Sequence, residues 1–407
     1  MHRYKYLIIG GGMAADSALK GIRMSDPSAT VGLVSEELDK PYNRPPLSKT
    51  LWDGLSLEEI WRPNRGAQVT LHLGRRIVAL DPARKQARDQ SGEIYVFEQA
   101  LLAVGGSPRR IPGDDDAVIY FRTLADYRRL RVLARDAEPI TIVGAGLIGT
   151  ELAACLRKAG SPVELYCGSR GLVRSVLPQV LSNELARSLE GRGVRLHRLS
   201  VTQIQKAAGG QQLTLNDGRS VPARRVLAGL GLIANTQLAA DAGIVCAHGI
   251  ANNQRIANNQ RIASVQGINV DASLKTSSPG IFAAGDCVNY WCSALSRRVN
   301  SQHEEHANFS GIAAGRAMAG KVVNYASLPY FYSRVFDHAY EGIGYIDTAL
   351  EHHVVAPRGP MEATVYYLEN QRVVGVLFWN VRADLERATE LIEAKRACTA
   401  GELAGRL

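Results

Sequence analysis

None of the six cysteines in this 407-residue chain precedes Cys155, and no pair of them has CxxC spacing. That pattern argues against a zinc ribbon or a secreted disulfide scaffold and fits reduced thiols. An uninterrupted apolar run of about 18 residues is also missing, so no membrane span is expected. Aromatic residues make up only 6% of the chain, and no basic stretch is interleaved with them. The net charge of +9 therefore does not point to nucleic acid; it would attract an acidic partner. Because the first strand is expected to begin by about Tyr4, no room is left for a cleavable leader, and a cytoplasmic location is expected. A chain of this length exceeds one ordinary core and implies two or three domains.

Glycine, in contrast, is concentrated at two informative places. Tyr6-Leu7-Ile8-Ile9 runs into Gly10-Gly11-Gly12-Met13-Ala14-Ala15, and Ile140-Thr141-Ile142-Val143 runs into Gly144-Ala145-Gly146-Leu147-Ile148-Gly149. Each is an apolar strand, a side-chain-free turn and the start of a helix, where a pyrophosphate can approach backbone N–H groups at the positive helix end. In the first, Gly10 permits the tight turn, Gly12 admits the phosphates, and small Ala15 lets helix and strand pack closely. Glu36, ending the next strand, can accept the hydroxyl hydrogens of an adenosine ribose. In the second, Gly144, Gly146 and Gly149 repeat the pattern, with Ile148 inside it. Two such turns imply two dinucleotides, a combination that suits passage of hydride from a nicotinamide to a flavin.

Strands and helices are expected to alternate from Tyr4 to about Gly320, with a helix at 14–25, strands at 30–35 and 163–166, and a helix at 148–159. Beyond about Asn324, antiparallel strands at 365–367 and 373–379 and a helix at 384–397 suggest a change of character. The expected fold class is α/β: two Rossmann-like doubly wound domains plus a small α+β C-terminal domain. The partition reads 1–113 and 238–322 for the first domain, 114–237 for the second and 323–407 for the third. The hexapeptide Ile250-Ala251-Asn252-Asn253-Gln254-Arg255 recurs at once as residues 256–261, which reads as a tandem duplication in a surface loop.

The string Pro41-Tyr42-Asn43-Arg44-Pro45-Pro46-Leu47-Ser48-Lys49 resembles the FAD-dependent NAD(P)H:ferredoxin and rubredoxin reductase family, the putidaredoxin-reductase-like enzymes, whose signature mitochondrial apoptosis-inducing factor shares. So do Ala103-Val104-Gly105-Gly106-Ser107-Pro108-Arg109, Arg122-Thr123-Leu124 and Ile281-Phe282-Ala283-Ala284-Gly285-Asp286. The resemblance spans essentially the whole chain and implies a glutathione-reductase-like flavoprotein fold. It further implies that Arg44, Lys49, Arg122, the Ile77 backbone, Asp286 and the Glu304 backbone contact FAD. Lys49 would sit beside flavin N5 and O4, favouring the electron-rich reduced ring, and Glu151 matches the family's carboxylate that pairs with this lysine.

For the second coenzyme, NADH-using relatives usually carry an acid near Cys167 or Gly168. Here none stands there, while Ser169 and Arg170 can donate to a 2′-phosphate, which favours NADPH, with relaxed specificity as the alternative. Glu164 lies within the strand, one register slip from the decisive position.

Disulfide reductases need a redox cysteine after the first βα unit, where this chain has Ser48 and Lys49, so thiol chemistry at the flavin is not expected. Cys287 and Cys292 stand too late in the chain for that motif. His303-Glu304-Glu305-His306 lacks the spacing of a zinc-protease helix, and no metal is expected. Tyr332 occupies the place of the family's flavin-covering tryptophan, and Arg334 replaces an acid common there. The reading is an NAD(P)H:ferredoxin (rubredoxin) oxidoreductase, monomer or homodimer, with an acidic iron–sulfur partner; the chain is rich in arginine, Arg297 and Arg298 included, and which arginines dock that partner is not legible in the sequence. The alternative resembles apoptosis-inducing factor: slow turnover, a lasting charge-transfer complex and a redox-sensing role.

Overall fold

The apolar amino-terminal run forms a strand, His2–Ile9, whose first half is partly exposed and whose second half is wholly buried. In this computed structural model it pairs in parallel on both sides, with Val31–Ser35 and with Ile94–Leu102. An interior parallel strand is covered on both faces, which is why Leu7, Ile8 and Ile9 are all apolar and at most 3% exposed. The structure describes residues 1–63, 66, 68–113, 116–135, 138–247, 266–356 and 361–403; the repeated hexapeptide at 250–261 lies outside the described residues.

The chain divides into two units. The first comprises Met1–Asn43, Glu58–Ser107 and Ile233–Tyr330. Its seven-stranded sheet runs Val69–Leu73, Val31–Ser35, His2–Ile9, Ile94–Leu102, Gln86–Asp89, Ile77–Asp81, with Ile281–Ala283 also paired to Ile94–Leu102. The helix Met13–Ser25 packs on the helix Glu304–Met318 through glycines. A Cβ added to Gly315 would lie 2.0 Å from the Ala18 carbonyl oxygen, and one on Gly311 2.4 Å from that of Ala14. Only bare backbone permits so close a crossing.

The second unit comprises Arg44–Leu57, Pro108–Leu232 and Phe331–Leu407. Its parallel sheet runs Val194–His197, Val163–Tyr166, Ile140–Val143, Val226–Ala228, Ile119–Tyr120. Where simple strand–helix alternation was expected, a three-stranded antiparallel meander intervenes: Val201–Ala207, Gly210–Leu215 and Ser220–Ala223. Near the C-terminus, five strands follow the order Tyr330–Val335, His338–Gly344, Arg372–Trp379, Ala363–Glu369, Glu351–Val355. Tyr366, Tyr367, Phe378 and Trp379 fill its core. The last long helix, Leu385–Glu393, is shorter than expected. Asp384 caps its start by accepting from the Arg387 amide, and Lys395, at φ +51°, turns the chain left-handed just past its end. Among the described residues, no helix is long and apolar enough to cross a membrane.

Candidate functional site

In the first unit, backbone bonds align the carboxyl ends of four parallel strands. Gly10 N–H donates to the Val34 carbonyl at 2.8 Å, Ala103 N–H to Ile9 at 2.8 Å, and Ala284 N–H to Leu102 at 3.1 Å. This edge, where open α/β sheets bind ligands, therefore presents Glu36, the Gly10–Gly12 turn and Asp286 side by side. Gly10 adopts φ +122°, and a Cβ there would stand 2.2 Å from the Ala103 carbonyl oxygen, so no other residue fits. Gly12 is the N-cap of Met13–Ser25 and offers no side chain to that helix's first N–H groups. Ala15 is fully buried, and Glu36 is exposed immediately after its strand. Ile77, 8% exposed, opens the strand Ile77–Asp81.

Asp286 lies in a single 3-10 turn, Gly285–Cys287, held on several sides. Asn300 donates to the Asp286 carbonyl at 2.8 Å, and Gly285 N–H donates to Ser310 Oγ at 2.9 Å. His306 completes the grip. Its Nε2 is 3.2 Å from the Gly285 carbonyl and its Nδ1 2.7 Å from the Tyr325 hydroxyl, while its ring stacks on Tyr290 at 4.9 Å. Because a carbonyl only accepts, Nε2 carries the proton and Nδ1 accepts from Tyr325. Burial pushes the imidazole pKa down to about 4, so the ring is neutral. Neither His306 nor Tyr325 was singled out in the sequence for this role; the histidine drew notice only as a metal ligand candidate. Among the described residues there is no metal-binding cluster of three or more His, Cys, Asp or Glu. Glu304 is the first residue of the helix that carries His306, and the N-cap His303 makes no side-chain capping bond.

In the second unit the other glycine turn repeats the geometry. Gly144 has φ +98°, with its added Cβ 2.6 Å from the Gly229 carbonyl oxygen, and a Cβ on Gly149 would meet the Gly144 carbonyl oxygen at 1.9 Å. Gly146, N-cap of Leu147–Lys158, faces open space instead, and Ile148 beside it is exposed. One glycine is thus required for the turn, one for helix packing, and one leaves room above the helix end. The strand Val163–Tyr166 ends before Cys167, and Ser169 and Arg170 follow as exposed loop residues. Glu164 is not at the strand end: its carboxylate is 2.7 Å from Arg195 Nη1.

The same unit joins four further expected residues in two pairs. Lys49 Nζ is 2.7 Å from Glu151 Oε2, and Arg44 Nη1 donates to the Arg122 carbonyl at 3.0 Å. Glu151, buried, also accepts from Ser48 Oγ and Ser333 Oγ, both at 2.6 Å. Ser48 lies inside the 41–49 string and Ser333 between Tyr332 and Arg334, yet nothing in their spacing pointed at one carboxylate. Tyr332 places its ring centroid 5.5 Å from Lys49 Nζ. Arg298 is committed internally: Nη1 donates to the carbonyls of Asn289 and Val270, at 2.8 and 3.1 Å.

The donor set fits two dinucleotides. Both glycine turns end parallel strands and leave helix N–H groups without side-chain caps, and at Gly146 in the second an added Cβ would meet only open space. A family model described as pyridine nucleotide-disulphide oxidoreductase matches residues 4–308. The 5,5'-dehydrodivanillate O-demethylase ferredoxin reductase subunit of Sphingobium sp. is 30% identical over 415 residues, covering 96% of this chain and 94% of that protein. Apoptosis-inducing factor 1, mitochondrial, of Dictyostelium discoideum is 24% identical over 439 residues, covering 97% of this chain and 79% of that protein. Among solved structures, putidaredoxin reductase in its covalent complex with putidaredoxin has a TM-score of 0.83 at 24% identity, covering 97% of this chain and 94% of that one. That last likeness shows a shared fold.

Proposed function

We propose, from the premise that this chain belongs to the pyridine nucleotide-disulphide oxidoreductase family, that it is an FAD-dependent reductase passing electrons from NAD(P)H to a ferredoxin-type iron–sulfur protein. The observation that carries the reading is the pair of glycine turns, each closing a parallel strand and opening an uncapped helix. Bound FAD would supply the link between a two-electron donor and one-electron acceptors.

Gly10, Gly12 and Ala15 would hold its pyrophosphate, Glu36 its ribose and the Ile77 backbone its adenine. Asp286 and the Glu304 amide would hold the ribityl and pyrimidine portions, with Arg44 and Arg122 as further polar contacts. Lys49 would direct its ammonium toward the ring, stabilising added negative charge, while Glu151 fixes where that ammonium points. Gly144, Gly146, Ile148 and Gly149 would bind the nicotinamide coenzyme. Ser169 and Arg170, with no acid at the strand end, favour NADPH. An acidic ferredoxin suits the chain's net charge of +9, and a rubredoxin would satisfy the same electrostatics. The division into an FAD domain at 1–113 and 238–322, a coenzyme domain at 114–237 and a C-terminal domain at 323–407 belongs to this reading.

The test is direct. Purified protein is expected to be yellow, to bleach on anaerobic mixing with NADPH, and to reduce cytochrome c rapidly only when a ferredoxin is added. A colourless protein that cannot be reconstituted with FAD would sink the reading. The similarity to apoptosis-inducing factor supports a second one. Slow turnover with a persistent long-wavelength absorption band would favour that redox sensor over the reductase.

A further inference from the structure

The strands Val163–Tyr166 and Val194–His197 run in parallel with Tyr166 opposite His197. Their pairing continues past both ends: Cys167 N–H donates to the His197 carbonyl at 2.9 Å and Gly168 N–H to Leu199 at 3.1 Å. In parallel register this sets Arg198 directly beside Cys167. Dinucleotide folds place an acid for the ribose 2′-hydroxyl at the end of this strand, or an arginine near it for a 2′-phosphate. Gly168 takes φ +69°, and a Cβ on it would be 2.9 Å from Ser200 Oγ, so residues 167–170 lie against residues 198–200. Ser169, Arg170, Arg198 and Ser200 are all exposed.

Two carboxylates near this rim, Glu164 and Asp217, are engaged elsewhere. Glu164 pairs with Arg195 at 2.7 Å and lies 3.5 Å from His197 Nε2, and Asp217 pairs with Arg219 at 2.7 Å. His197 is further fixed by stacking on Tyr166, with ring centroids 4.4 Å apart. Neither stretch, 167–170 nor 198–200, contains an acid. Among the described residues, Arg170 and Arg198 form no ion pair.

We propose that Arg198 is a specificity-determining residue which, with Ser169, Arg170 and Ser200, receives the 2′-phosphate of the nicotinamide coenzyme. Two guanidinium forks approach one dianion from adjacent strand ends, and the hydroxyls fill its remaining lone pairs. This rests on the reading that the second glycine turn binds NAD(P)H.

Calorimetric titration of the purified, flavin-loaded protein with 2′,5′-ADP and with 5′-ADP tests it, since both occupy the adenosine end without requiring turnover. Wild-type protein is expected to bind 2′,5′-ADP the more tightly. Arg198→Ala should weaken 2′,5′-ADP by about 10- to 100-fold while leaving 5′-ADP within about 2-fold, as loss of a charged hydrogen bond to one group predicts. The retained 5′-ADP binding certifies the fold. Arg195→Ala, which removes a nearby charge already paired with Glu164, should not discriminate between the two ligands. An Arg198→Ala variant that keeps wild-type 2′,5′-ADP affinity, or loses both ligands equally, overturns the proposal. Wild-type protein that binds neither ligand overturns the underlying reading of the second turn, and the proposal with it.

Discussion

Lys49 Nζ stands 2.7 Å from Oε2 of Glu151, a carboxylate 2% exposed that also takes hydroxyl bonds from Ser48 and Ser333. Removing one partner of such a pair is unequal in its effects. Lys49→Met strands a buried negative charge, and should lower the unfolding free energy by about 3 kcal/mol. Glu151→Gln keeps an acceptor for one serine and leaves the ammonium partly hydrated, so about 1–2 kcal/mol is expected. Urea denaturation of the two variants measures the order directly; equal losses would mean the pair is not buried in solution.

His306 makes the stability of the first unit sensitive to acid. Its imidazole is held neutral, with a folded pKa of about 4 against an ordinary 6.5. Above pH 6.5 the folded and unfolded states are both neutral and no penalty arises. As pH falls from about 6.5 to about 4, the unfolded chain takes up a proton that the folded one refuses, and stability drops by on the order of 3 kcal/mol. Below about 4 this component levels off. His306→Gln, whose amide N–H can still donate to the Gly285 carbonyl, should flatten the slope between pH 6.5 and 4 and retain FAD. His306→Leu should flatten it too but release FAD more readily, read as free-flavin fluorescence. Unchanged pH slopes in both would remove His306 from the account.

Glycine at the crossing of the helices Met13–Ser25 and Glu304–Met318 predicts a pair of opposite outcomes. Gly315→Ala drives a Cβ to 2.0 Å from the Ala18 carbonyl oxygen, a backbone atom that cannot swing aside. A loss of roughly 1–3 kcal/mol is expected, with weakened FAD binding because the same helix carries Glu304 and His306. Gly191→Ala, at the end of Gln179–Gly191, meets nothing within 4 Å and should be neutral or stabilising by up to about 1 kcal/mol. Thermal unfolding of both variants decides whether close approach, rather than glycine content, sets the cost.

How much of this could be read from the sequence depended on whether the physics was local. Gly10 and Gly144 were legible because a positive φ and a backbone contact leave one residue type, and because the strand before and the helix after lie within a few positions. The grip on the Asp286 turn was not. His306 meets Tyr325, 19 residues on, and Gly285, 21 residues back, in separate elements, so its neighbours in sequence suggested only metal chemistry. The meander over 201–223 escaped notice because Val201–Ala207 buries only Ile204 and shows no two-residue hydrophobic rhythm. The C-terminal helix was extended too far because its left-handed stop falls on Lys395, not on a glycine.

Arg298 separates structural charge from docking charge. A basic residue in a reductase with an acidic partner invites assignment to docking, but composition does not say which of the chain's arginines, Arg297 and Arg298 among them, meet that partner. Yet Arg298 Nη1 already donates to the Asn289 and Val270 carbonyls, at 2.8 and 3.1 Å, tying the strand Val288–Cys292 to the residue after Gly267–Asn269. Its removal leaves two inward carbonyls short of a donor, at about 1–3 kcal/mol in total. Arg298→Ala should therefore lower thermal stability without changing the ionic-strength dependence of ferredoxin-supported cytochrome c reduction. A true docking arginine behaves the other way, since surface charge acts on encounter rate through a salt-screened field and contributes little to folding. If Arg298→Ala flattened the salt dependence at unchanged melting temperature, the guanidinium would be facing the partner and its internal bonds would be incidental.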